Sequence, residues 1–307
     1  MARAPSSEVL RYLDQVVDCY DPEIGLTLPE QLAWLVSVAQ LPAGDWADEP
    51  EATWLRLLAA LVRDRGAPRV RTLILHDCSE FTIDGCDIPF EDSDPLPLLR
   101  RHAGRLARLE RLHVGVFPAE LPPTRGFCQG VGPALVSLPA LVWLHLVGER
   151  GWELLPARGH PGLRTLLMHV AEPDDEPLAA LVQAPFPALG RLDVWLGPAV
   201  VDGRDEGALG EALASERFKS LRELALRGLA SGELLAELFE QRELGGGLEA
   251  LAVTHAPELD DDALAGLLAA PWLARLRRLD LRGTGASAAL AAEFAGRGVE
   301  VVRDDMS

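Results

Sequence analysis

The chain has 307 residues, 48% of them apolar, and a formal net charge of −18. That apolar share is enough for a continuous core. The acidic balance repels phosphate backbones and anionic lipid, which argues against nucleic acid and membrane partners and leaves a protein or peptide as the expected partner.

No apolar run reaches the ~18 residues that would span a bilayer. Four cysteines (Cys19, Cys78, Cys86 and Cys128) are too few and too scattered for a disulfide framework. No charged-then-apolar leader opens the chain. The expected setting is a reducing cytoplasm, and no cofactor is expected.

Residues 1–66 read as a helical N-terminal cap. Val9, Leu10, Leu13, Val16 and Val17 have helical spacing, Ser6 or Ser7 can cap them, and Asp21-Pro22 ends the segment. A second helix is expected after Pro29, carrying Leu32, Trp34, Leu35 and Val38. A third runs from about Pro50 to Asp64, with Trp54, Leu55, Leu58, Leu61 and Val62 on one face, and Gly66 ends it. Such a cap would cover the open end of whatever follows.

Residues 67–307 repeat one pattern. Apolar residues recur as L-x-x-L-x-L from Val70, Leu109, Leu141, Leu163, Leu189, Leu221, Leu248 and Leu276. The last of these reads Leu276-Arg277-Arg278-Leu279-Asp280-Leu281, and Val299 and Val301 offer a short final strand. The later starts are about 28 residues apart, room for a strand and a returning helix. Helices are expected over Leu98–Leu106, Glu206–Ala214, Ser231–Glu240, Asp260–Ala270 and Ala286–Phe294. Gly148–Gly162 is too short for more than a turn. Two proline-rich insertions, 79–97 and 117–132, read as loops.

On Leu189-Gly190-Arg191-Leu192-Asp193-Val194-Trp195-Leu196-Gly197 and the repeats through Leu281, the chain resembles ribonuclease-inhibitor-like leucine-rich repeat proteins. It is similar to a set of bacterial cytoplasmic repeat proteins. A bacterial origin also fits the Leu, Ala, Arg, Gly and Pro bias, with Lys219 as the sole lysine. The resemblance implies an α/β fold: a leucine-rich repeat solenoid of about eight repeats, curved, with an inner parallel sheet, outer helices and a short C-terminal cap. It implies no active site.

Strand side chains alternate, so the residues between the signature positions should face the concave surface. There they form three columns. The candidate partner-binding residues are Arg111, His113, Trp143, His145, His169, Arg191, Asp193, Trp195, Arg227, Arg278 and Arg282. They divide into a His/Trp half and an Arg/acid half, and Trp and Arg are enriched at binding hot spots.

The expected function is a non-enzymatic protein–protein interaction scaffold, with an inhibitor or immunity-type binder as a special case, and a monomer is favoured. The alternative is a metal-binding protein or metal-dependent enzyme that uses His76, His113, His145 and His169, although no paired ligand spacing marks such a site. A Cys/His hydrolase is the weakest option, because no base or oxyanion site is marked.

Overall fold

A computed structural model describes residues 11–37, 50–76, 96–115, 117, 135–148, 159–170, 181, 184–196, 212–213, 215–229, 232–240, 244, 247–304. The expected loops 79–97 and 117–132 and the turn 148–162 lie largely outside these residues. So do most of the helix at 206–214 and Trp46, Trp152, Cys78, Cys86 and Cys128.

The strands are β1 (Arg11–Tyr12), β2 (Gln15–Cys19), β3 (Ala33–Val36), β4 (Thr72–His76), β5 (Arg111–Gly115), β6 (Trp143–Gly148) and β7 (Thr165–Val170). They continue as β8 (Arg191–Trp195), β9 (Glu223–Arg227), β10 (Ala250–Thr254), β11 (Arg278–Asp280) and β12 (Glu300–Val302). Their order in the sheet is their order in the chain. All neighbours are parallel except β1 and β2. Each crossover advances one strand in the same direction, which makes this a leucine-rich repeat solenoid.

The signature residues explain the register. Leu73, Leu112, Leu144, Leu166, Leu192, Leu224, Leu251 and Leu279 sit side by side on adjacent strands. All are buried in one core with Leu75, Val114, Leu146, Met168, Val194, Leu226, Val253 and Leu281. A one-residue slip would turn every one of them out of the core, so the register is strongly specified.

Returning segments cover this core from one side. They include the helices α1 (Pro50–Arg63), α2 (Leu96–Arg101), α3 (Glu233–Glu240), α4 (Asp261–Ala265) and α5 (Ala288–Gly296). Asp260 caps α4 by accepting from the Ala263 N–H, and Ser287 caps α5 by accepting from the Leu290 N–H. Trp34, Trp54 and Trp272 are core residues.

The N-terminal cap differs from expectation. α1 is present, but the described residues of the two earlier segments form β1, β2 and β3 where helices are expected. The apolar spacing of Leu13, Val16 and Val17 fits both readings. Val17, Cys19 and Leu35 complete a parallel ladder onto β4 through β3, and the β-branched valines suit a strand. The described part of the cap therefore extends the sheet and lays α1 over the core.

Candidate functional site

The second face of the sheet, opposite the core, carries the candidate partner residues. Alternation along β4 to β11 places them there as expected. The structure then divides that face into a covered part and an open part.

The covered part begins at the N-terminal hairpin. The chain reverses at Leu13, whose φ is +57°. This turn sits over the second face of β4 and β5. Asp14 pairs with Arg111 at 2.8 Å, and the Gln15 side chain bonds Thr72. The Tyr12 ring packs edge-on against His113, Phe117 and Trp143 at 5.5, 5.3 and 5.3 Å. With Ala33, Leu35 and Ile74 it makes a second apolar cluster.

His113, His145 and His169 are 0%, 6% and 5% exposed, and Trp143 is half-buried. Trp195 is buried too, with its ring edge-on to His255 at 5.7 Å. Of the His/Trp half, the hairpin ring itself touches His113 and Trp143. The three histidines and Trp195 present little surface, whereas Trp143 is only half-buried.

The histidines are joined to each other. His113 Nδ1 lies 3.1 Å from His145 Nδ1, and His145 Nε2 lies 3.0 Å from His169 Nδ1. His169 Nε2 meets Asp193 Oδ1 at 3.1 Å. Arg227 then holds Asp193 with two hydrogen bonds, Nε to Oδ1 at 2.6 Å and Nη2 to Oδ2 at 2.9 Å. Its Nη1 donates to Thr254 Oγ1 at 3.1 Å, and Thr254 Oγ1 is 3.2 Å from His255 Nδ1. One polar chain thus crosses β5 to β10.

Burial works against the Asp193 anion. The bonds from Arg227 and His169 outweigh it and hold the carboxyl well below the usual range. Burial, then repulsion from His113 and His169, lowers His145 well below an ordinary histidine.

A zinc site needs three or four donors converging on one point. Here the two nitrogens of His145 face different neighbours, and His76 Nδ1 accepts the Phe117 backbone N–H at 2.9 Å. His113, His145 and His169 thus form a line, and the bond of His76 is to Phe117. Among the described residues no group of three or more His, Cys, Asp or Glu could hold a metal ion.

The open part lies toward the C-terminus. A groove of about 300 Å³ runs across β8 to β11, lined on this face by Arg191, Glu223, Arg227, Arg278, Asp280 and Arg282. Ala225, Ala250 and Ala252 form its floor. Arg282 bonds Asp280 bidentately, at 2.9 and 2.6 Å. Arg191 is 3.5 Å from Asp193 and 3.7 Å from Glu223, with its side chain 46% exposed. Arg278 is exposed.

Alternation in the sequence puts Arg191, Arg227, Arg278 and Arg282 on this face, and they line the groove. Alternation also puts Thr254 on this face beside Arg227, but the sequence gives no signal for Tyr12, whose segment has helical spacing, or for His255 at the far end of the polar chain.

No family model matches the chain, and no curated protein matches it. Solved structures do. A Bacteroides fragilis protein overlaps 81% of this chain and 69% of its own, with 18% identity and a TM-score of 0.63. An internalin from Listeria monocytogenes overlaps 81% of this chain and 65% of its own, with 13% identity and a TM-score of 0.30. A leucine-rich repeat protein of Leptospira interrogans overlaps 89% and 65%, with 15% identity and a TM-score of 0.27. The chain spans about two thirds of each of these proteins. The first likeness is one of fold alone, and the other two carry no further weight. Among the described residues no helix is long and apolar enough to cross a membrane.

Proposed function

We propose that this protein is a non-enzymatic binding scaffold that receives an acidic segment of a partner protein in the groove across β8 to β11. The observation that supports this is the gathering of Arg191, Arg227, Arg278 and Arg282 over an alanine floor, in a chain whose net charge is −18.

Arginine offers a planar fork that matches a carboxylate. Small floor residues let an extended backbone come close. Asp193 and Asp280 are each consumed by a bidentate arginine, so Arg191 and Arg278 outweigh Glu223 for an incoming ligand. Screening over roughly 8 Å at physiological salt keeps this local field distinct from the acidic remainder. A short segment fits this balance better than a whole acidic protein does. An inhibitor or immunity-type role against a basic enzyme would have to use acids outside the groove. The working picture is a monomer in a bacterial cytoplasm.

Fluorescence anisotropy with labelled hexaglutamate tests the reading, with hexalysine as the comparison. Saturable hexaglutamate binding that Arg278→Glu weakens supports it. Absence of binding, or binding indifferent to that change, overturns it.

A further inference from the structure

Strand alternation should turn residue 255 toward the core. In β10, Ala250, Ala252 and Thr254 lie on the arginine face, and Leu251 and Val253 lie in the core. His255 comes next, yet it is exposed. Its ring lies on the arginine face. Nδ1 is 3.2 Å from Thr254 Oγ1, and the ring stands edge-on to Trp195 at 5.7 Å.

The backbone makes this placement possible. His255 has a φ of +55°, in the left-handed region, and the alternation of the strand ends there. Gly228 after β9 and Gly283 after β11 hold the same register position, with φ of +71° and +70°. Glycine takes this turn freely because it carries no Cβ. At the middle position a histidine takes it, at a conformational cost. The placement of the imidazole is what distinguishes this corner from its two neighbours.

The hydrogen bonds decide which ring nitrogen carries the hydrogen. Arginine has only donors, so Thr254 Oγ1 accepts from Arg227 Nη1 at 3.1 Å. Thr254 is 1% exposed, and the acceptor its hydroxyl meets among the described residues is His255 Nδ1. Thr254 therefore donates to Nδ1, which holds no hydrogen. Partial burial, then repulsion from Arg227 and Arg282, lowers the pKa of His255 and keeps the ring neutral. The single hydrogen of the neutral ring then sits on Nε2, which bonds none of the described residues. The same rim holds Arg282. Its carbonyl accepts the His255 backbone N–H at 3.1 Å, and its side chain lines the groove and is 54% exposed.

We propose that His255 is a further ligand-binding residue of the groove, donating from Nε2 to a carboxylate of the bound acidic segment. This rests on the groove reading above and gives the segment a direction. Arg278 opens β11 opposite Ala250, and His255 follows the end of β10. The two ends are roughly 16 Å apart at about 3.3 Å per residue. A segment that meets both runs along the strands, over Ala250 and Ala252. An extended hexapeptide, roughly 20 Å long, reaches from one to the other.

Two measurements on the full chain test this. Anisotropy with labelled hexaglutamate at physiological salt should show about threefold to tenfold weaker binding for His255→Gly. Glycine keeps the left-handed turn, so Tm should stay within about 3 °C of wild type. His255→Asn tolerates the turn and restores a side-chain N–H donor, and it should bind more tightly than His255→Gly. Nitrogen-15 NMR of the wild-type ring near pH 8 should find the hydrogen on Nε2, and hexaglutamate should move that signal. His255→Gly that binds within about twofold of wild type, a hydrogen on Nδ1, or an Nε2 signal indifferent to the peptide would overturn the assignment. If Arg278→Glu still weakens binding in that event, the groove reading stands without His255. Wild type that does not bind hexaglutamate removes the groove reading and this assignment with it. Should His255→Gly fail to fold, the wild-type NMR alone decides.

Discussion

Arg227 holds Asp193 through two hydrogen bonds, of 2.6 and 2.9 Å, and Asp193 is only 1% exposed. The carboxylate also accepts from His169. It is the point where the covered and open parts of the face meet. Removing one partner of a buried pair leaves the other charge uncompensated, at a cost of about 3–5 kcal/mol. Asp193→Ala should lower unfolding stability in urea by that amount. A loss under about 1 kcal/mol would mean that the pair is not a structural anchor.

The Tyr12 hydroxyl is buried and has no hydrogen-bond partner among the described residues. Burial raises its pKa, so it stays protonated. An unsatisfied buried hydroxyl costs about 1–3 kcal/mol. Tyr12→Phe should therefore leave stability unchanged or raise it by about 1 kcal/mol, while Tyr12→Ala removes a ring that three aromatic neighbours contact and should cost about 3–5 kcal/mol. Thermal melts of the two variants measure this. Destabilisation by Tyr12→Phe would show that the hydroxyl is satisfied in solution.

His145 makes stability depend on pH. Burial lowers its folded pKa, so below about pH 6.5 the unfolded chain binds more protons than the folded one. Stability should fall as pH falls, with a slope from this residue of about 1.4 kcal/mol per pH unit down to its folded value. Denaturation midpoints at pH 7.5, 6.5 and 5.5 should decline in that order. A flat profile would contradict a buried neutral His145.

Charge reversal should distinguish the groove from the rest of the surface. Arg278→Glu should weaken hexaglutamate binding about tenfold, a cost near 1.4 kcal/mol. Arg69→Glu lies at the far end of the sheet in an exposed position, and it should leave the affinity within about twofold at physiological salt. Equal losses in both variants would indicate a general charge effect with no site.

Gly115 closes β5 beside Val147. Its φ is +115°, and a Cβ there would lie 1.7 Å from the Val147 carbonyl oxygen. That atom is backbone and cannot move aside cheaply. Gly115→Ala should cost at least about 2 kcal/mol and lower Tm. Since Gly115 follows the strand position of His113 by two residues, the same variant should also disturb the 3.1 Å His113–His145 contact, which histidine ring NMR would report.

The sequence by itself determined the solenoid. Eight matches to the leucine signature set the strands β4 to β11, because alternation sends those side chains to one face and only one register buries them all. It also determined which residues occupy the opposite face, and it set His113 beside His145 in the correct register. It could not decide helix against strand for residues 11–19 and 33–36, where short apolar runs fit both periods. The pairing with β4 through β3 settled that.

Only the tertiary structure decided what covers the face. Alternation gives direction and says nothing of a hairpin folding back across 97 residues of sequence to join Asp14 to Arg111. It also separated residues that distance unites: His169 and Asp193 stand in different columns, yet their side chains meet diagonally across adjacent strands. The sequence offered the histidines as a surface for a partner. The fold buried them, linked them to Asp193 and left the arginines beyond it exposed.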